Sequence, residues 1–190
     1  MGGDEAYPAL LERLALPPQA LRPLAAYLER LDAWAARVNL TGARTPASRV
    51  DLLVRDVAPL AALLRPGSLL DIGSGNGSPG LVMAALRPEL GATLLEPRQR
   101  RWAFLREAAR AMGRPDIDVL RERHDQYAGR PATNVVLRAL ALPLSELAPL
   151  VAPGGQLLVL GRPASGAAEG LDGPRALPGA WSYQRTPRST

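Results

Sequence analysis

The chain of 190 residues contains no cysteine, no lysine, one histidine and one phenylalanine, and aromatic residues make up only 4% of it. Without cysteine there is no disulfide, no thiolate nucleophile and no cysteine-ligated zinc. A lone histidine leaves too few nitrogen ligands for a resident transition metal. No apolar run reaches the roughly 18 charge-free residues of a membrane span, and the N-terminus lacks the basic-then-apolar pattern of a secretory leader. The expectation is a metal-free cytoplasmic protein with no membrane partner, acting as a monomer.

The absence of lysine sits beside a surplus. All 23 basic residues are arginine, against 18 acidic ones, for a net charge of +5. The planar arginine fork binds phosphate bidentately, so the balance suits a polyanion such as RNA. A chain rich in Ala, Arg, Gly, Pro and Leu is also what GC-rich coding produces, the simpler origin of the missing lysine. Charge alone therefore does not choose a partner.

The length accommodates one compact domain with an appendage. Leu24, Leu28, Leu31, Trp34 and Val38 recur at steps of three and four, with Glu29, Arg30, Asp32 and Arg37 between them, which predicts an amphipathic helix over 19–40. A shorter helix is predicted around 5–15, stopped by Pro17 and Pro18. Thr45 followed by Pro46 opens a further one, which Pro59 bends or interrupts before Leu64. Residues 1–65 thus read as a helical extension.

Over 66–190 the texture changes to short apolar runs alternating with helical stretches, the pattern of an α/β, mostly parallel, doubly wound Rossmann-like sheet. Strands are predicted at 68–72, 92–96, 117–121, 133–137 and 155–160, with helices near 79–87, 98–112 and 143–151. The segment 163–179, rich in Gly, Ala and Pro, has no period and reads as a mobile loop or poor helix. A last strand is placed at 181–186.

The sequence LLDIGSGNG (69–77) is a strand end running into a turn, with Gly73, Gly75 and Gly77 at alternate positions ahead of a helix starting near Pro79. Glycines there let the backbone turn sharply and approach a ligand closely. Glu96 closes the next strand about twenty residues on, where an acidic side chain meets ribose hydroxyls. Together they point to an adenosyl ligand, either a dinucleotide or S-adenosylmethionine. The pattern lacks the final glycine of the dinucleotide fingerprint. A carboxylate at Asp71 would repel a pyrophosphate but tolerate the cationic sulfonium and amino groups of S-adenosylmethionine, which favours the latter.

On these residues the chain resembles the RsmG (GidB) methyltransferases, which methylate N7 of a guanine in small-subunit ribosomal RNA. The likeness covers roughly residues 20–160. Trp34 followed by NLTG (39–42) is similar to that family's W...NLT segment, and LLDIGSGNGSPG (69–80) to its cofactor turn. Arg87 and Pro88 match its following R-P, and TLLEPRQRRWAFLREAA (93–109) its second strand and basic helix. Pro79 inside the turn is the least generic element.

The resemblance implies S-adenosylmethionine held by Gly73 and Ser78 of the turn, Glu96 on the ribose, His124 and Asp125 beside the adenine, and Arg138 as the arginine of an S-R-A motif. It implies small-subunit rRNA or the small ribosomal subunit as partner. The departures fall on the substrate side. Ser78 replaces a bulky apolar residue, Asp56 stands near the His of an R-H motif, Leu137 replaces the Ser of S-R-A, and Gly161 with Arg162 replaces Lys-Gly. A related methyltransferase with another substrate, and a cofactor-binding assembly module without turnover, are the alternatives that these departures leave.

Guanine N7 carries a lone pair and no proton, so its methylation needs positioning rather than a general base. Arg138 is then the expected catalytic group, offering a fork to guanine O6, to phosphate or to the cofactor carboxylate; its plain alternative is a surface salt bridge. His124 is expected to face solvent. Arg98, Arg100, Arg101, Arg106 and Arg110, with Arg121 and Arg123, either track an RNA backbone or form a merely solvated face. Trp34, Trp102 and Phe104 are expected in the core.

Overall fold

Residues 6–187 are described by the computed structural model. Residue 5 of the predicted first helix, and the outermost residues of the 1–65 and 66–190 segments, lie outside that range.

Helix α1 (Tyr7–Glu12) and helix α2 (Pro18–Ala35) open the chain, each with proline in its first turn, where the missing N–H costs nothing. The buried stripe of α2 is Leu24, Leu28 and Leu31, joined by Tyr27. Helix α3 (Pro46–Val50) starts at Thr45 as predicted, in a reciprocal capping box with Ser48. The break after it comes earlier than expected. Asp51–Arg55 forms a π-helical turn, with the Asp56 N–H bonded to the Asp51 carbonyl, and Pro59 starts the short helix α4 (Ala58–Ala61) rather than interrupting one.

Seven strands form one sheet: β1 (Ser68–Ile72), β2 (Gly91–Leu95), β3 (Asp118–Leu120), β4 (Ala132–Arg138), β5 (Val151–Leu160), β6 (Leu171–Leu177) and β7 (Ala180–Arg185). Their order is β3-β2-β1-β4-β5-β7-β6. The first five are parallel, and β7 runs antiparallel to both β5 and β6. Helix α5 (Gly80–Leu86) joins β1 to β2, and α6 (Gln99–Ala111) joins β2 to β3.

Both helices share one continuous apolar core with α1, α2 and the segment up to Leu64, so the N-terminal helices lie on the sheet rather than apart from it. Phe104 is fully buried there, packed against Tyr27 and Trp34, while Trp34 and Trp102 are half-buried. The opposite face is covered more thinly, by α7 (Leu144–Leu147) and the chain around Leu171.

Two expectations fail on this thinner side. The helix predicted at 143–151 stops after one turn, because Pro149 removes a helical donor and Val151 already pairs with Ala132 at the start of β5. The segment 163–179 is not all loop or poor helix, since Leu171–Leu177 is a strand. It is the outermost strand, exposed over most of its length, and a tight turn at Pro178 and Gly179 folds it onto β7. Its pairing comes from its neighbour, so no apolar alternation of its own announces it.

Strand order reverses between β1 and β4, with Ile72 beside Leu137 at their carboxyl ends. That switch point is where open α/β sheets hold their ligands. It brings together the turn after β1 and Arg138, the last residue of β4.

Candidate cofactor and substrate site

Gly73, Gly75 and Gly77 all have positive φ, at 70°, 50° and 92°, a region closed to most side chains. At Gly77 an added Cβ would also stand 2.7 Å from Leu81 and 3.0 Å from Tyr27. Tyr27 is fully buried and donates its hydroxyl to the Asn76 carbonyl at 2.9 Å, so α2 holds the turn from behind. Burial pushes the Tyr27 phenol far up, which keeps it a donor.

Asp71 is fully buried and accepts the Gly80 N–H at 3.1 Å through Oδ2, leaving Oδ1 without a hydrogen-bond partner. Burial raises its carboxyl pKa to about 7. Hydrogen bonding from Ser74 and Gly80 works against that rise, and the charge of Glu96 adds to it. Because this value stands above the usual carboxylate range, the folded protein keeps a proton that the unfolded chain loses. The resulting stabilisation is complete below about pH 4 and disappears as pH rises through about 7. In urea melts of the ligand-free protein, stability is expected to fall between about pH 5 and pH 7.5 and Asp71→Asn to flatten that decline. An equal slope in both proteins would locate the titration elsewhere.

Glu96 is 4% exposed. Its Oε2 accepts the Gly75 N–H at 3.0 Å and its Oε1 the Arg98 N–H at 2.8 Å. Each carboxylate oxygen thus keeps acceptor capacity for a ligand hydroxyl. Glu96, Gly73, Gly75 and Ser78 line a cleft of about 680 Å³, closed from the other side by Leu40, Thr41 and Gly42 of the NLTG segment. Arg101 Nη2 donates to the Asn39 carbonyl, tying that segment to α6. Asp71 and Gly77 stand behind the lining.

His124 does not face solvent as expected. It is 8% exposed, its Nε2 lies 2.6 Å from Glu146 Oε2, and it lines the cleft. Asp125 is not among the lining residues; it is exposed and accepts from Arg123 Nε at 3.1 Å. The wall carboxylate in this stretch is Glu122, which the sequence reading passed over. Burial alternates along 121–125, with 122 and 124 turned in and 123 and 125 out, so a period-two reading would have found it.

Arg138 donates through Nη1 to the Leu52 carbonyl at 2.9 Å and to Ser78 Oγ at 3.3 Å, and its Nη2 lies 3.9 Å from Asp56 Oδ2. Ser78 Oγ in turn donates to the Leu53 carbonyl at 2.8 Å. The π turn is therefore fastened to the cofactor turn and to β4 at one point. A second cavity of about 860 Å³ opens on the other side of Arg138, and Arg138, Ala139 and Leu140 line both. Ala139 adopts φ 54°, a conformation that non-glycine residues hold only where the surroundings enforce it.

A switch-point crevice with a glycine turn and an acidic strand end is where an open α/β sheet holds an adenosyl ligand, and here it opens onto a second cavity. The residues fit S-adenosylmethionine. Glu96 has acceptor capacity facing the cleft for ribose hydroxyls, and Gly73 and Gly75 leave bare backbone along its wall for a ligand to approach. The chain belongs to the GidB family, rRNA small subunit methyltransferase G, which matches residues 20–165.

The chain is 34% identical to the ribosomal RNA small subunit methyltransferase G of Halorhodospira halophila over 152 residues, 78% of this chain and 72% of that one. Identity to the protein of the same name from Alkalilimnicola ehrlichii is 35% over 170 residues, 84% of this chain and 77% of that one. The crystal structure of an RNA methyltransferase from Salinibacter ruber in complex with S-adenosyl-L-homocysteine shares the fold, with a TM-score of 0.52 at 22% identity, covering 77% of this chain and 95% of that one. The enzyme is a methyltransferase and S-adenosylmethionine is its cofactor.

Proposed function

We propose that this enzyme methylates N7 of a guanine in small-subunit ribosomal RNA, working in the cytoplasm as a monomer on the small ribosomal subunit. The observation that carries this reading is the meeting of two cavities at Arg138, Ala139 and Leu140. One has the features of a cofactor cleft, and the other is within the size range of small-molecule sites. When bound, S-adenosylmethionine supplies an electrophilic methyl group.

Guanine N7 presents an in-plane lone pair and carries no proton, so the protein's task is to hold the base in line and keep water out. The junction offers a fixed arginine for this, and the attack by N7 asks for no general base. His124 lines only the cofactor cleft, where Glu146 holds its Nε2. In this reading Glu96 receives the ribose, His124 and Glu122 flank the adenine end, and Gly73, Gly75, Gly77 and Ser78 shape the turn around the ligand. Asp71 serves from beneath by fixing Gly80, and Asp125 has no role in the cleft.

Arg98, Arg101 and Arg123 line the cleft, with the exposed Arg100 beside them at the start of α6, a placement suited to an RNA backbone. Monomeric action is supported by the placement of the exposed large apolar residues among the described ones: Leu52 and Leu140 line the cleft, which leaves Leu63 alone elsewhere. No helix of the described residues is long and apolar enough to cross a membrane.

The test is methyl transfer from radiolabelled S-adenosylmethionine to purified small ribosomal subunits, with the label mapped in the rRNA. Label recovered as 7-methylguanosine is the expected result. Cofactor binding by calorimetry without label in the rRNA would overturn the proposal in favour of a module without turnover.

A further inference from the structure

The cavity beyond Arg138 holds a carboxylate that methyl transfer to N7 does not itself require. Asp56 follows the π turn with its side chain 60% exposed, and its Oδ2 faces Arg138 Nη2. It shares the cavity wall with Arg55, Arg162 and the apolar surfaces of Pro59, Leu140 and Pro163. Flat apolar walls with a few convergent polar groups suit a heterocycle. The two hydrogen bonds of Arg138 run through Nη1, so Nη2 is the nitrogen presented toward Asp56 and the cavity.

We propose that Asp56 selects guanine: its carboxylate accepts N1–H and the 2-amino group while Arg138 Nη2 donates to O6, which aims N7 at the junction with the cofactor cleft. This rests on the N7 reading above. Around the edge of guanine the groups run 2-amino, N1–H, O6, N7. Across the site the complementary order is Asp56, then Arg138, then the wall shared with the cofactor cleft.

Adenine presents a bare N1 to the carboxylate and an amino group to the guanidinium, so both contacts would oppose it, and pyrimidines have no N7. The base reaches the cavity by leaving its stack, a step that a pocket of this kind requires. A surface ion pair alone would be a poor account of Asp56, since an exposed pair at 3.9 Å contributes little.

The test starts from the guanosine that the wild-type enzyme methylates, mapped and then replaced by inosine in ligated rRNA. Inosine keeps N1–H, O6 and N7 and lacks only the 2-amino group. The wild type is expected to prefer guanosine in kcat/KM by about tenfold or more. Asp56→Asn and Asp56→Ala are expected to lose about tenfold to a hundredfold on guanosine and less on inosine, bringing the preference toward one. Equal losses on both RNAs would make Asp56 a support for Arg138 and overturn the proposal, as would an unchanged preference. Failure of the wild type to form any 7-methylguanosine would instead overturn the N7 reading itself, and the selection with it.

Discussion

Replacing Arg138 by alanine is expected to lower the methylation rate constant of the folded enzyme by about 100-fold or more. The guanidinium stands where the two cavities join and is fixed by the Leu52 carbonyl and Ser78 Oγ, so its remaining edge is aimed without further ordering. A reaction that runs on alignment is sensitive to such a loss, since a misplacement of about 1 Å costs on the order of 10²-fold. Arg138→Lys should recover part of the rate, because one ammonium offers a point charge without the fork that serves both sides. Single-turnover methylation alongside urea melts distinguishes the roles. If Arg138 only fastened the N-terminal segment, stability would fall while the rate of the remaining folded enzyme stayed unchanged.

Gly80→Ala is expected to destabilise the protein by about 2–4 kcal/mol and to lower its melting temperature by roughly 4–16 °C. An alanine Cβ there would stand 2.7 Å from Asp71 Cβ and 2.9 Å from its Cγ, and would overlap Oδ2 as well. Asp71 is fully buried at the end of a central strand and cannot retreat without breaking the bond from the Gly80 N–H. Helix propensity returns at most about 1 kcal/mol. Gly91→Ala is the control. Gly91 opens β2 with open space where its Cβ would go, so its melting temperature should hold or rise slightly. Thermal unfolding of the two variants side by side checks the pair, and equal behaviour would mean that the floor under the turn is softer than its packing indicates.

The centre of the parallel half of the sheet was legible because β1 and β4 are buried on both sides and read as apolar runs, as in VVL before Arg138. The turn at 71–77 and its partner Glu96 were legible because backbone geometry there demands particular residues. Strand β6 was not, because its fold is imposed by β7 through pairing and its side chains face water. The inward turn of His124 depends on Glu146, far off in sequence, so no local pattern announces it. Asp125 attracted attention as an acid after the third strand, yet the two-residue alternation of that stretch turns it outward and brings Glu122 in. The anchoring of Arg138 was illegible for a further reason, which is that its main partner belongs to the peptide backbone.

That last feature bears on how this part of the molecule responds to mutation. The π turn meets Arg138 and Ser78 through the carbonyl oxygens of Leu52 and Leu53, groups that every amino acid carries. Side-chain truncation at Leu52 would leave the joint whole, so an alanine scan confined to the π turn would miss it. Deleting one residue from 51–55 would move both oxygens out of reach at once. In this chain the side chain at position 52 is therefore free to change without loss of the joint, while the number of residues between the N-terminal helices and the first strand is not.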